Sequence, residues 1–485
     1  MSTRPASFCL PKARSLGYNH GMKMVSDALA LFLLLFTFQT PTSADARTSS
    51  PKLNVLFIAS DDMRPELACY GNKLVQSPNI DRLAARGVRF DRAYCQYPLC
   101  NPSRTSMLTG RYPTTSGVMD NNKYFRDGHP NWVTLPQYFR NHGYVTARTG
   151  KIYHGGIDDE PSWIEGAEKG GTRAARTPQQ QQAQRQNSDR WAAVENEEKQ
   201  GDYRSATRAI ELLEHHKGKP FFIAVGFSKP HSPPVAPKKY FEPYDVTKMP
   251  LPVDFAPRPA APPGFPEASV PKRNGDLFID RDASETEARE VIRAYYACIS
   301  FVDAQVGRVL DALDRLGLRE RTVVVFFGDH GYHLGEKGKW SKHNSLFEVA
   351  TRVPFIVSPP SSAGNGRTCG RTVEFIDLYP TLAELCGLPK PAGVEGDSLV
   401  PLLKDPQAAW DHPAFTVTKF GPTFGQSVRT ERWRYTEWSE GKAGAVLFDE
   451  QADPHELKNL AKEENHAATV AEMKELLRKQ STVRK

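Results

Sequence analysis

Two adjacent carboxylates, Asp61-Asp62, follow the apolar run Asn54-Val55-Leu56-Phe57-Ile58-Ala59 and Ser60. Side by side they repel each other, and a hard divalent cation would relieve that cost. Three further stretches repeat the arrangement of an apolar run closed by reactive side chains. Tyr144–Arg148 leads to Gly150-Lys151-Ile152-Tyr153-His154, where a Lys and a His three residues apart could be aimed at one anion. Pro220–Phe227 leads to Lys229-Pro230-His231. Thr322–Phe327 leads to Gly328-Asp329-His330-Gly331, with Lys337, Lys339, Trp340, Lys342 and His343 after it. Apart from these stands Cys100-Asn101-Pro102-Ser103-Arg104, where a Cys, a Pro two residues on and an Arg four residues on form an uncommon combination. Taken singly, each stretch also suits a plainer role: a helix cap or solvated turn for the acids and bases, a buried or disulfide-bonded thiol for Cys100. Four reactive loops after four apolar strands make four unrelated solvated turns an uneconomical account.

The elements that must position these groups follow from pattern. Short continuous apolar runs read as strands buried on both faces, and open α/β sheets place ligands at the carboxyl ends of such strands. Ser77-Pro78-Asn79-Ile80-Asp81 opens a helix, and Val88–Tyr94 is a strand leading into the Cys100 loop. Thr105–Thr109 begin a helix after that loop, whose N-terminus would direct backbone N–H groups at an anion. Thr134–His142 reads as a helix stopped by Gly143, Asp202 caps a helix through His216, and Thr286–Leu318 is a long amphipathic helix. Arg352–Val357 is a further strand, and Glu374–Leu385 passes from strand or turn into helix. The pattern then shifts. Ala414–Phe420, Gln426–Thr430, Trp433–Trp438 and Val446–Asp449 are short strands separated by turn residues, and Glu463–Lys479 closes the chain as a helix. The expected fold is α/β: a large mixed, mostly parallel sheet flanked by helices over residues 47–408, then a smaller C-terminal antiparallel sheet plus helix over 409–485. Two stretches lack periodicity. Residues 155–200, with the Gln-rich segment Pro178–Asn187, read as an exposed insertion, and the Pro-rich Ser232–Pro271 as a surface excursion that could shape a substrate pocket.

At 485 residues there is ample length for a large core and a second, smaller unit. A hydrophobic content of 39% and a charged content of 25% are ordinary for a soluble globular protein. The net charge of +7 is scattered, which describes a solvated surface, and no zinc-ligand spacing, basic helix or basic–aromatic interleaving marks a nucleic-acid module. Arg4, Lys12, Arg14 and Lys23 precede the apolar run Ala28–Phe38, and Ala44-Asp45-Ala46 fits a cleavage site. Residues 1–46 therefore read as a secretory signal peptide, with Met22 or Met24 as alternative starts and an uncleaved anchor as the alternative role. Export to a periplasm or the extracellular space follows, with no stable membrane span after cleavage. Cys9 would leave with the leader, while Cys69, Cys95, Cys100, Cys298, Cys369 and Cys386 remain. If Cys100 is modified, five are left and at least one has no partner within the chain, so a disulfide scaffold is a poor description.

Taken together, these stretches resemble the type I sulfatases over almost all of the mature chain, and most of all the iduronate-2-sulfatase-like branch. The resemblance rests on Ser77 to Asp81, Cys100 to Arg111 with its Leu108-Thr109-Gly110-Arg111, Gly150 to His154, Lys229-Pro230-His231, Phe301-Val302-Asp303-Ala304-Gln305-Val306-Gly307-Arg308, and Asp329-His330-Gly331 with Leu334-Gly335-Glu336. It implies an alkaline-phosphatase-like fold. It also implies that a maturation enzyme oxidises Cys100 to formylglycine, whose aldehyde hydrate is the nucleophile. Asp61, Asp62, Asp329 and His330, with residue 100, match the family's ligands for one divalent metal, usually calcium. Many relatives have Asn where this chain has His330, and an imidazole is a softer ligand than calcium normally takes. Arg104, Lys151, His154, His231 and Lys342 match the residues around the formylglycine and the sulfate. The Lys342 match rests on Trp340-Ser341-Lys342, with Lys337 and Lys339 as nearby competitors.

A sulfate ester needs such groups, because charge moves onto the transferring group and the leaving oxygen. On this resemblance Asp329 accepts a proton from one geminal hydroxyl, which attacks sulfur, while His231, assisted by Lys342, protonates the leaving oxygen. His154 then takes the proton of the second hydroxyl and the sulfated intermediate collapses to aldehyde and sulfate, an exit unavailable to a serine. Arg104 would orient the formylglycine and the sulfate. The implied substrate is a sulfated carbohydrate, such as a 2-O-sulfated uronic acid of a glycosaminoglycan or another sulfated polysaccharide. A phosphonate or phosphate monoester hydrolase of the same superfamily is the nearest alternative, and an inactive sulfated-glycan-binding protein the more distant one.

Overall fold

A computed structural model describes residues 52–168, 170, 177–179, 182 and 190–482. The leader expected over 1–46 and most of the Gln-rich segment lie outside the described residues. The strands are β1 (Asn54–Asp61), β2 (Val88–Tyr94), β3 (Val145–Gly150), β4 (Ala192–Val194), β5 (Phe221–Pro230), β6 (Val235–Pro237), β7 (Thr322–Gly328), β8 (Arg352–Ser358), β9 (Thr368–Glu374), β10 (Ala414–Phe420), β11 (Thr423–Arg429), β12 (Trp433–Trp438) and β13 (Ala445–Asp449).

Seven of them form one sheet in the order β3-β5-β1-β7-β8-β2-β9. The neighbours β3, β5, β1 and β7 all run parallel, with Phe57 of β1 opposite Ala224 of β5 and Val325 of β7. β8 is antiparallel to β7 and to β2, and β2 and β9 are parallel. Side chains alternate across a strand, so a run that is apolar at every position buries both faces. Leu56, Ile58, Ile223, Val225, Val324 and Phe326 pack on one side with Leu213, Ile299 and Val302 of the helices Gly201–His216 and Glu285–Arg315. Val55, Phe57, Phe222, Ala224, Val323 and Val325 pack on the other with Met107, Leu108, Phe139 and Leu382 of the helices Cys100–Thr109, Leu135–Asn141 and Leu378–Leu385. Each large apolar side chain so buried contributes about 1.5–3 kcal/mol, and a charged residue at Phe57 would break the packing of the second face.

Two motifs of the resemblance turn out to be joints of this scaffold. Asp303, buried midway along Glu285–Arg315, accepts the backbone N–H of Asn79 at 3.0 Å and of Ile80 at 2.8 Å, capping the helix Pro78–Ala84 from outside. Ser284 and Glu287 start the long helix with a reciprocal capping box.

Several boundaries differ from the sequence expectation. The helix expected at Thr105 begins at Cys100, since Ser103 N–H already bonds the Leu99 carbonyl at 3.0 Å, and Gly110 ends it in the left-handed conformation. Asp202 is not a helix cap. Gln200 holds that position, and the Asp202 carboxylate instead accepts the N–H groups of Ser228 and Lys229 at 2.7 and 2.9 Å. β9 is an additional strand, polar enough at Thr368, Arg371 and Thr372 to hide its periodicity. The Pro-rich segment is more than surface, because β6 pairs with β4 and Ala236, Tyr244, Met249 and Val270 are buried. β10-β11-β12-β13 form an antiparallel sheet, and the helix Ala467–Thr482 lays Met473 and Leu477 on its Val428, Tyr435 and Leu447.

Candidate active site

Four adjacent parallel strands end at one place. β1 ends in Asp61 with Asp62 next, β7 runs into Asp329 and His330, β3 into Lys151, and β5 into His231. The ends of β3 and β5 approach so closely that a Cβ on Gly150, which has φ +69°, would stand 2.0 Å from the Gly226 carbonyl oxygen. Asp62 also has a positive φ, +62°, uncommon outside glycine. Its N–H donates to Asp329 Oδ1 at 3.0 Å and its carbonyl accepts the Tyr295 hydroxyl at 2.6 Å, which hold that conformation. Cys100 enters from the first turn of its helix. Asn101, next to it, ties that turn to the loop beyond by donating to the Asp120 and Lys123 carbonyls, both at 2.8 Å.

Cys100 Sγ lies 3.4 Å from Asp61 Oδ1, 3.4 Å from His330 Nε2 and 3.7 Å from Lys151 Nζ. Arg104, four residues on and therefore on the same helix face, is fully buried. It donates from Nε to Asp329 Oδ2 at 2.9 Å, from Nη2 to Asp61 Oδ1 at 3.2 Å, and from Nη1 to the carbonyls of Lys151 and Ile152 at 2.5 and 2.9 Å. Lys151 pairs with Asp61 Oδ2, and Lys342 with Asp62 Oδ2 at 2.8 Å. Ser103 Oγ donates to the Asp329 carbonyl at 2.5 Å. His231 Nε2 is 4.0 Å from Asp62 Oδ2, with its Nδ1 at 2.6 Å from the Ser232 carbonyl.

These neighbours shift the acid–base character of the site. Burial and Asp61 push the Cys100 thiol up, but Lys151, Lys342 and His330 together hold it well below the ordinary thiol value. Burial likewise opposes ionisation of Asp61, and Lys151, His231 and Arg104 outweigh it, keeping that carboxyl well below its usual range. Burial raises Asp329. The two histidines part company: burial holds His154 below its usual value despite its bond with Cys100, whereas Asp62 outweighs burial at His231 and raises it.

The donor set fits a divalent cation. Ligand atoms of Asp61, Cys100, Asp329 and His330 lie within 4.8 Å of one another, as do those of Asp61, Asp62, Cys100 and His231. Asp62 Oδ1, fully buried, accepts no hydrogen bond, an arrangement that is costly unless a cation takes it. Three carboxylates make it a hard-donor cluster, with one imidazole. Beside it opens a cleft of about 580 Å³, bordered by Lys151, His154, His231, Lys342, His343 and Asp276 among others.

All the residues singled out in the sequence converge here: Asp61, Asp62, Cys100, Arg104, Lys151, His154, His231, Asp329, His330 and Lys342. Of the competing lysines, Lys337 pairs with Asp254 at 2.8 Å and Lys339 donates to the His343 carbonyl at 3.1 Å, so Lys342 alone of the three reaches the cluster. Sequence reasoning missed Asp276. It is a buried acid in an irregular stretch, with no apolar strand before it to signal a site.

Comparison with known proteins agrees with this geometry. The Sulfatase family model matches residues 53–388, and the model of the N-sulphoglucosamine sulphohydrolase C-terminal region matches residues 335–483. Iduronate 2-sulfatase of Mus musculus is 36% identical over 420 residues, 75% of this chain and 74% of that protein. A solved structure described as a 2-O GAG sulfatase superposes with a TM-score of 0.66 at 26% identity, covering 89% of this chain and 92% of that one. The phosphonate monoester hydrolase of Agrobacterium radiobacter shares the fold, with a TM-score of 0.71 at 22% identity over 90% of this chain and 96% of its own.

Proposed function

The chain belongs to the sulfatase family, in its iduronate-2-sulfatase-like branch, and on that premise we propose that it hydrolyses O-sulfate esters of a sulfated sugar through a formylglycine made from Cys100. The observation that carries the proposal is the placing of Cys100 Sγ within 3.7 Å of a carboxylate, an imidazole and an ammonium, the last of them, Lys151, bordering the cleft with His154, His231 and Lys342. Formylglycine there would supply, in its hydrated form, the attacking hydroxyl and a second one whose deprotonation regenerates the aldehyde and frees the sulfate. Asp61, Asp62, Asp329 and His330, with residue 100, would hold one divalent cation, calcium being the simplest choice for three carboxylates, which supplies neutralisation of the sulfate's charge.

The chain's own groups then divide the proton work. Asp329, fixed through Oδ2 by Arg104, takes the proton of the attacking hydroxyl. His231, whose basicity Asp62 raises, delivers one to the leaving oxygen with Lys342 beside it. His154, kept neutral by burial and bonded to Cys100, is suited to accept the proton of the second hydroxyl. Arg104 and Lys151 hold the anion's place. The same reading takes residues 1–46 as an export leader, 47–408 as the catalytic domain and 409–485 as a C-terminal subdomain, and requires a formylglycine-generating partner enzyme.

For substrate we propose a 2-O-sulfated uronic acid of a glycosaminoglycan, supported by the likeness to iduronate 2-sulfatase and to the 2-O GAG sulfatase structure. Protein processed in its host should desulfate 2-O-sulfated uronate disaccharides faster than disaccharides sulfated on glucosamine. Faster release from aryl phosphonate esters than from any sulfate ester would overturn the reading in favour of a phosphonate monoester hydrolase.

A further inference from the structure

Asp276 is buried at the edge of the cleft and belongs to none of the strand-end loops that build the site. Its Oδ2 lies 3.5 Å from Lys342 Nζ and 3.7 Å from His343 Nδ1, and accepts no hydrogen bond of ordinary geometry. The chain around it is clamped to the loop that carries Lys342. Asn274 Oδ1 accepts the Trp340 N–H at 2.8 Å, Asn274 Nδ2 donates to the Gly338 carbonyl at 3.3 Å, and Leu277 N–H donates to the Trp340 carbonyl at 3.3 Å. Phe278 packs on the Trp340 ring, with centroids 5.2 Å apart. Glycine at 275 permits this approach, because a Cβ there would meet His343 Nδ1 at 2.8 Å and Ser341 Oγ at 2.9 Å and displace those side chains. These contacts join two segments far apart in sequence, and what they deliver is one carboxylate beside one ammonium.

An ammonium is a compact point charge on a flexible four-carbon stem, so its position is set by the anions around it. With Asp62 alone, Lys342 would be drawn entirely to the carboxylates of the cation site. Asp276 borders the cleft, and its pull keeps the ammonium on the substrate's side. We propose that Asp276 is a positioning residue that holds Lys342 where the leaving oxygen takes its proton as the S–O bond breaks. The proposal rests on the sulfatase reading and names a residue for it that acts through Lys342.

The test uses aryl sulfates of increasingly poor leaving group, from 4-nitrophenyl to unsubstituted phenyl sulfate, with the processed enzyme. A good leaving group needs no proton and a poor one does. Asp276→Asn should lower kcat/KM on 4-nitrophenyl sulfate by less than about threefold and on phenyl sulfate by on the order of tenfold or more, and Asp276→Glu should recover part of the difference. Equal losses across the series in an active enzyme would overturn the proposal, since a merely structural role moves all substrates alike. Should Asp276→Asn fail to fold, Asp276→Glu against wild type gives the same reading: a loss that grows as the leaving group worsens supports it, and a uniform loss sinks it. A wild-type protein without activity on any sulfate ester would instead overturn the parent reading.

Discussion

Two of the buried ionic clusters among the described residues are built from different side chains. At the ends of β1, β3, β5 and β7, Asp61, Asp62 and Asp329 meet Lys151, Lys342, Arg104, His330 and Cys100. Beneath the C-terminal sheet, Glu348, Glu450 and Glu456 meet Arg429 and Arg434. Arg434 pairs with Glu348 and stands 3.1 Å from Glu450 Oε1 and 3.0 Å from Glu456 Oε1, Arg429 Nε is 3.3 Å from Glu348, and the Tyr94 hydroxyl donates to Glu348 at 2.9 Å. The first cluster borders a cleft, leaves Asp62 Oδ1 without a hydrogen bond, and contains a thiol and an imidazole among its charges. The second is dominated by guanidiniums, which stay charged and bind carboxylates in a fixed geometry. Burying charge is costly in either place. One cluster spends that cost on reactivity, the other on fixing how the C-terminal sheet meets Glu348 and Tyr94.

The largest effect expected from this contrast is on chemistry without stability. Cys100→Ser changes one atom in the first cluster and removes the thiol from which, on the proposed reading, formylglycine is made, so turnover of sulfate esters should fall by at least about a thousandfold. The melting temperature should stay within a few degrees of wild type, because the serine fills the same space with the same partners. Measurable multiple turnover by the folded variant would break the distinction, as it would mean that Cys100 belongs to the structural kind of cluster.

The converse belongs to the second cluster. Arg434→Ala leaves three carboxylates facing one guanidinium in a buried setting, which should destabilise by about 3–5 kcal/mol in urea unfolding. Where the variant remains folded, its KM for sulfate esters should be close to wild type. Arg434→Met, which fills the space but also leaves the acids unpaired, should be nearly as damaging. A loss of activity larger than the loss of folded protein would show the two clusters to be coupled.

The same contrast explains what was legible in the sequence. The proposed catalytic groups sit directly after runs such as Val323-Val324-Val325-Phe326-Phe327, whose unbroken apolarity marks a doubly covered parallel strand, so both the strand and the loop at its carboxyl end could be read. Cys100 and Arg104 stand four apart, a spacing that the helix turns into one face, and that helix starts at Cys100, five residues before the Thr105 start that the sequence suggests. Asp276, β9 and the Glu348–Arg434 pairing were not legible. Their partners lie far away in the chain, and a polar residue that will be buried by a distant segment looks the same in sequence as one left in solvent. Asp303 shows the mixed case, recognisable by motif while its task, capping Pro78–Ala84, emerged only from the packing.

The smallest effect expected is the one that probes the second cluster's charge balance. Three carboxylates face two buried guanidiniums, while Arg352 reaches only Glu348, at 3.9 Å from the partly exposed side, so a proton on one acid relieves the repulsion among them. Burial and the neighbouring acids accordingly raise Glu450, and burial raises Glu456 from its ordinary 4.5 to about 7, while Arg429 and Arg434 outweigh burial at Glu348 and lower it to about 2. For Glu456 the folded value lies above the unfolded one. The folded state therefore holds the extra proton through this window, and the associated stability, full below about pH 4.5, is lost as pH rises through about 7. Glu456→Gln removes the titrating group and leaves two carboxylates for two guanidiniums, a balance that needs no proton. Relative to wild type, the variant should gain on the order of 1 kcal/mol per pH unit across that window. Urea unfolding of both proteins at the two ends of the window measures this, and the active-site groups cancel in the difference. A stability difference that does not move with pH would mean that the cluster carries its net negative charge unprotonated, and that Lys337, which Glu456 also faces, supplies the missing cation.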